Sequence, residues 1–232
     1  MTGLDGLDRR DGLDQRVRVV VVSAGLSVPS STRLLADKLA DAVERSVGAR
    51  GQEVDVQHVE LRPLAHALAD HLLTGFPTGD LAAAIEQVRH ADALVVVTPV
   101  FSASYSGLFK TFLDVLEPGL LDGKPVVIAA TAGTARHSLV LDHALRPLFA
   151  HLRAVVVPTG VFAASEDFGV ADGESSLDKR VSRAAAELAA LLGPVAGTVP
   201  ATAPQRRRVA DEFAAPTPFE QLLREAGGDS VR

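Results

Sequence analysis

Four runs of β-branched and small apolar residues punctuate the chain: VRVVVVS at 17–23, ALVVVTP at 93–99, PVVIAAT at 125–131 and AVVVPTG at 154–160. Apolar at successive positions, they predict short strands buried on both faces of a sheet. A fifth run, EVDVQHV at 53–59, alternates with period two and predicts a half-exposed edge strand. The segments between them carry helical spacing. Leu35, Leu39, Val43 and Val47 recur every four residues and are closed by Gly48, and Tyr105, Leu108, Phe109, Phe112 and Leu116 share one face stopped by Pro118-Gly119. Further helices are predicted over 62–73, 80–90, 136–152 and 175–192, the one over 136–152 kinked at Pro147.

Strands alternating with helices predict an α/β fold, because each right-handed crossover lays its helix on one face of a parallel sheet. The expected architecture is a doubly wound five-stranded parallel sheet with helices on both faces, in the common strand order 2-1-3-4-5. One domain spans residues 16–193. Residues 1–15, in which DGLD occurs twice, form a flexible N-terminal segment, and 194–232 form a Pro/Ala-rich linker and C-terminal tail. In that tail Phe213, Phe219, Leu222 and Leu223 are either docking residues or part of a disordered segment.

Composition narrows the chemistry. With 47% hydrophobic residues in 232 the chain can fill a substantial core, and without cysteine it has no disulfide framework, thiolate metal site or thiol nucleophile. The net charge of -6 comes from interspersed signs, which argues against a nucleic-acid surface despite Arg206, Arg207 and Arg208. The start lacks the apolar core of a signal peptide and no later segment is an uncharged membrane span, so a cytoplasmic protein is expected.

In the order 2-1-3-4-5 ligands sit beyond the carboxyl ends of the strands where the order reverses, which brings three loops together. These are SAGLSVPSST (23–32), TPVFSASYS (98–106) and TAGTARH (131–137), the loops richest in hydroxyl and small residues. The first offers Ser23, Ser27, Ser30, Ser31 and Thr32 where a helix begins, and free amides at the positive dipole end suit a phosphate. Plain N-capping by Ser30 or Ser31 would account for one or two of the five hydroxyls. Neither GxxxxGK[ST] nor GxGxxG is present, which weakens a triphosphatase or a dinucleotide-fold dehydrogenase. In the second loop Phe101 and Tyr105 offer apolar walls, with Ser102, Ser104 and Ser106 as donors, a mixture that a flat heteroaromatic ring requires. The third has Gly133 for close backbone approach, beside Thr131 and Thr134. Together they point to a phosphorylated flat molecule.

The stretches VVVVSAGLSVPSSTRLLADKLA, ALVVVTPVFSASYSGLFKTFLD and VVIAATAGTARHSLVLDHALRPLFAHL resemble the NAD(P)H-dependent FMN reductases of the flavodoxin-like superfamily, of the type that supplies reduced flavin to two-component, luciferase-like or sulfonate monooxygenases. The resemblance implies FMN as cofactor and NADPH or NADH as hydride donor, with hydride passing from the nicotinamide to flavin N5. It further implies that Ser23, Ser30 and Thr32 hold the phosphate and that Pro99, Val100, Phe101, Ser102, Ala103, Ser104 and Tyr105 line the ribityl and ring. Gly133 and Thr134 lie near the pyrimidine edge in the same reading, and Thr131 beside them is counted among the cofactor-binding residues. A homodimer or homotetramer, the segment 62–79 near its interface, and a partner monooxygenase are implied too. Two departures stand out: Ser23-Ala24-Gly25-Leu26 replaces the Gly-Ser and Arg of many relatives, and Phe101 replaces their Tyr.

Other readings stay open on sequence alone. One is a quinone, azo-dye or metal-oxyanion reductase with FMN as a prosthetic group; another is a non-catalytic flavodoxin-like carrier or regulatory module. A phospho-acceptor receiver lacks its Asp after the third strand, where Thr98-Pro99 stands, and a hydrolase lacks GxSxG. The histidines show no metal-ligand spacing; His137 alone follows a candidate loop. Lys110 and Asp114 read as an i,i+4 surface pair. NADH and NADPH are not distinguished, although Arg136 is a candidate to grip a phosphate.

Overall fold

Alternation of side chains across β-strands divides the protein's core in two. In the computed structural model, which describes residues 16–169 and 175–193, Val20, Val22, Leu94, Val96, Val126 and Ile128 point to one face of a sheet. Their neighbours Val19, Val21, Val95, Val97, Val127 and Ala129 point to the other. Both sets are buried, so the uninterrupted apolar runs read from the sequence are central strands covered twice over.

The strands are β1 (Val17–Ser23), β2 (Val54–Glu60), β3 (Ala93–Phe101), β4 (Ser104–Tyr105), β5 (Pro125–Ala132), β6 (Val155–Val156) and β7 (Val161–Ala164). The helices are α1 (Ser31–Gly48), α2 (Ala65–Thr74), α3 (Gly79–His90), α4 (Gly107–Asp114), α5 (Arg146–His151) and α6 (Ser176–Leu191). The sheet runs β2-β1-β3-β5-β6, all parallel, with β7 also pairing with β5 and β4 folding back antiparallel on β3. This is the expected five-position order, its last position shared by β6 and β7. α1 and α6 cover one face through Leu35, Leu39, Val43, Val181 and Leu188. On the other face sit α2, α3, α4 and α5 through Leu68, Ile85, Phe109, Phe112 and Phe149.

The departures from the sequence reading have local causes. The run 154–160 is not one strand: Pro158 supplies no N–H for the ladder, and the edge breaks between β6 and β7. The break is clamped by Arg146, whose guanidinium donates to the carbonyls of Val157 and Pro158 (3.2 and 3.0 Å). From the helical side, Glu187 accepts from the Thr159 N–H (2.7 Å) and hydroxyl (2.8 Å). Nor is 136–152 one kinked helix. A 3₁₀ turn (Ala135–His137) is followed by a π-helical turn (Leu141–Leu145) and then α5. Pro147 cannot donate to His143, and the wider turn, in which Arg146 N–H reaches the Leu141 carbonyl, accommodates its ring. Residues 61–64 form a turn bonded Leu64 N–H to Leu61 carbonyl (3.0 Å), so regular helix starts at Ala65.

Lys124 fixes the entry to β5. Its ammonium donates to the carbonyls of Val88, Arg89 and Ala91, at the end of α3 where carbonyls lack partners within the helix. Burial pushes its pKa below the ordinary lysine value, against the opposing pull of Asp92. Among the described residues no helix is long and apolar enough to cross a membrane. The N-terminal segment 1–15 and the tail 194–232, with Phe213, Phe219, Leu222 and Leu223, lie outside the described residues.

Phe109 and Phe149 meet with ring centroids 6.3 Å apart and are fully buried. Phe149→Ala is expected to cost about 3–5 kcal/mol in urea unfolding, and Phe149→Leu far less; equal losses would show that the aromatic volume is not what the layer needs.

Candidate functional site

Parallel strands in register end together, and here β1, β3 and β5 are adjacent: Ser23 lies opposite Val97, and Pro99 opposite Thr131. The three loops that follow are therefore held at one edge of the sheet. Two hydrogen bonds join them. The Ala24 N–H donates to the Val97 carbonyl at 3.0 Å. The hydroxyls of Thr32 and Thr131, both buried, meet at 2.8 Å across 99 residues of sequence.

In the first loop Ser23 is buried at the end of β1, its carbonyl accepting from Leu61 N–H. Ser30 is the N-cap of α1, its Oγ accepting from Arg33 N–H (3.2 Å) and its carbonyl from Leu34 N–H (3.0 Å). That leaves the N–H groups of Ser31 and Thr32 with no acceptor within the helix. No carboxylate stands in the first turn to offset the positive end of α1. Arg33 is directed away, paired with Asp37 at 2.7 Å and with Glu60. The loop folds tightly over this helix start because residue 25 is glycine: a Cβ there would lie 2.1 Å from the Ser30 Oγ.

The second loop is a hairpin. β3 continues past Pro99 through Val100 and Phe101, and Phe101 and Val100 pair antiparallel with Ser104 and Tyr105. The two-residue connection, Ser102 (φ 49°) and Ala103 (φ 63°), is left-handed at both positions without glycine, the conformation that tight hairpins require. Such residues cost about 1–2 kcal/mol each, so surrounding contacts must hold the turn. Thr98, buried at the end of the apolar run, does part of this: its Oγ1 accepts from Ser106 N–H and donates to the Pro99 carbonyl, both at 3.0 Å. Ser106 then caps α4 through Phe109 N–H (3.2 Å). Tyr105 therefore belongs to the hairpin and not to the helix, and leans on Phe109 with centroids 6.1 Å apart. Pro99, Val100, Ser104 and Tyr105 are half-buried, whereas Phe101 (46% exposed), Ser102 and Ala103 stand open to solvent.

In the third loop Thr131 is buried in the hydroxyl bridge, and Gly133 and Thr134 are exposed. Around Gly133 a Cβ would meet nothing within 4 Å, so this stretch lies open. Thr134 caps the 3₁₀ turn through Arg136 N–H (3.4 Å). Lys110 and Asp114 pair on α4 at 2.5 Å, apart from these loops. Among the described residues no cluster of acidic and histidine side chains could hold a metal ion.

The sequence reading did not single out Thr98, Gly25 or the Ser31 amide. A hydroxyl closing a fully apolar strand was the available signal for Thr98, since a buried hydroxyl must find partners. Gly25 and the amide depend on the fold of the loop and leave no mark in residue type.

The profile of the family described as NADPH-dependent FMN reductase matches residues 17–169. An NADH-dependent FMN reductase, SfnF, from Pseudomonas putida is 41% identical over 152 residues, 66% of this chain and 80% of the relative. An FMN reductase (NADPH) from Pseudomonas aeruginosa is 38% identical over 151 residues, 65% and 78% of the two chains. Among solved structures, an oxidoreductase from Corynebacterium diphtheriae superposes with TM-score 0.74 at 52% identity, covering 77% of this chain and 98% of that one.

The hydroxyl bridge predicts a coupling. Thr32→Val and Thr131→Val should each destabilise the protein by about 1–3 kcal/mol by stranding a buried partner, and the double variant should cost less than the sum. Strict additivity in urea unfolding would show that the 2.8 Å contact contributes nothing.

Proposed function

The chain belongs to the NADPH-dependent FMN reductase family, oxidoreductases that reduce FMN with NAD(P)H, and we propose that its three convergent loops hold the flavin and deliver it reduced to a partner monooxygenase. The observation that carries the reading is the joined edge of β1, β3 and β5, where a helix start without a carboxylate and an apolar, hydroxyl-bearing hairpin follow neighbouring strands.

The donor set fits FMN. The free amides of Ser31 and Thr32, at a helix start without a carboxylate, suit a phosphate dianion. The Ser30 hydroxyl, whose oxygen accepts from Arg33 N–H, keeps its hydrogen to donate. In the Thr32–Thr131 pair one hydroxyl hydrogen bridges the two oxygens, and the other remains available to the phosphate or ribityl chain. Ser23 closes the base of this cradle. Pro99 to Tyr105 supply the ring's support: Phe101 and Tyr105 as apolar surface, and the backbone of Val100, Ser102, Ala103 and Ser104 as edge donors and acceptors. The open space around Gly133, beside Thr134, would leave room for the pyrimidine edge and for the second substrate.

FMN held by these loops would supply a two-electron acceptor for the hydride of the reduced nicotinamide. The chain's own part is positional. It anchors one end of the flavin by charge-assisted hydrogen bonds, holds the ring plane against the braced hairpin, and excludes water from the stacked faces with Phe101. No acid or base is required from the loops. The exposed apolar side chains Leu72, Leu73 (88% exposed) and Phe76 (76%) at the end of α2 support a homodimer or homotetramer formed through segment 62–79. A cytoplasmic site of action belongs to the same proposal, because reduced nicotinamide nucleotides are supplied there.

Anaerobic mixing of the protein with FMN and NADPH or NADH should bleach the flavin's visible absorbance far faster than without protein; bleaching at the protein-free rate would end this reading. Ser30→Asp preserves the helix cap but sets a carboxylate against the phosphate. It should lower the kcat/KM preference for FMN over riboflavin by about tenfold or more with stability retained. An unchanged preference would remove α1 from the site.

A further inference from the structure

Next to the hairpin lies a cleft of about 340 Å³ between the strained turn and the start of the π-helical turn, lined by Ala103, Ser104, Arg136, His137, Val140 and His143 among others. Its lining contains a guanidinium, two imidazoles and a hydroxyl, and no carboxylate. On a chain of net charge -6 that is a local reversal of sign, the condition under which an anionic substrate is drawn to one place on an acidic protein.

Arg136 is exposed, and its guanidinium has no hydrogen-bond or ion-pair partner among the described residues. Other arginines differ. Arg146 is occupied by Asp142 and two backbone carbonyls, and Arg33 by Asp37 and Glu60. The pairing with Arg146 also accounts for the one carboxylate adjacent in sequence to His143. The 3₁₀ turn capped by Thr134 sets Arg136 and His137 on consecutive positions, and His143, in the π-helical turn that follows, completes the wall. An imidazole retains a donor nitrogen in either protonation state, so the three side chains present an array of donors without a protein acceptor.

We propose that this cleft is the phosphate-recognition subsite for the nicotinamide dinucleotide, with Arg136 as its principal contact and His137, His143 and the Ser104 hydroxyl beside it. The inference rests on the FMN reductase reading and extends it to the second substrate. The cleft touches Ala103 and Ser104, which that reading sets against the flavin ring. A dinucleotide anchored here has its nicotinamide within reach of the ring, and its adenosine over the open stretch at Gly133. Guanidinium is the side chain best matched to phosphate oxygens, through paired donors in a fixed plane.

The test separates this inference from the one beneath it. Calorimetric titration of the full-length protein with adenosine 2′,5′-bisphosphate, and separately with AMP, needs no turnover. Arg136→Gln should weaken bisphosphate binding about tenfold or more, Arg136→Lys should recover part of the loss, and Arg183→Gln, on the exposed side of α6, should leave binding unchanged. A loss confined to the bisphosphate assigns the cleft to a 2′-phosphate and predicts that KM rises for NADPH alone. An equal loss with AMP assigns it to the pyrophosphate and predicts that KM rises for NADPH and NADH together. In both cases the KM for FMN stays put. Equal affinity of the wild-type and Arg136→Gln proteins for both probes would overturn the subsite. Absence of FMN-dependent NAD(P)H oxidation in the wild type would instead overturn the reading on which it rests.

Discussion

The contact on which the site depends is a hydrogen bond between two buried hydroxyls. Thr32 opens α1 and Thr131 ends β5, and their 2.8 Å contact ties the first and third loops across the end of β3. A hydroxyl taken out of water without a partner costs more than the bond itself returns, so each threonine enforces the position of the other. With the Ala24 to Val97 bond on the near side, three loops far apart in sequence are fastened to one edge of the sheet. The fold brings them close, and these two bonds set their spacing.

The same logic of satisfied and unsatisfied groups organises the rest of the edge. Thr98 is spent on bracing the hairpin, Ser30 on capping α1, Ser106 on capping α4, and Thr134 on capping the 3₁₀ turn. What remains around these loops are groups without a partner among the described residues: the Ser31 and Thr32 amides, the hydrogen of the Ser30 hydroxyl, one hydrogen of the hydroxyl pair, and the guanidinium of Arg136. In the proposed reading they are two anion positions, in the first and third loops, which flank the hairpin in the strand order. A reductase that must bring two phosphorylated, flat-ringed substrates face to face needs that division, one anchor for each and a stiff support between them.

The sequence made the layers legible because the apolar strands are long and continuous, and the helical stripes are bounded by Gly48 and Pro118-Gly119. It was weaker where a backbone rule acted through tertiary context. Pro158 split one strand into two, Pro147 turned a predicted kink into a π-helical turn, and the stretch 98–106 was a hairpin whose left-handed residues are Ser102 and Ala103. Serine and alanine carry no signature of such a turn, as asparagine or glycine would. For the site, residue type revealed the hydroxyl-rich loops. It did not show which hydroxyls are occupied by the protein itself, and that depends on partners from 1 to 99 residues away.

A crystal structure of the protein soaked with FMN tests the central claim most directly. The account predicts the phosphate on the Ser31 and Thr32 amides beneath the Gly25 loop, with the ring against the hairpin of residues 99–105. A flavin bound elsewhere, or a phosphate seated away from the start of α1 while the three loops stay as described, would contradict it.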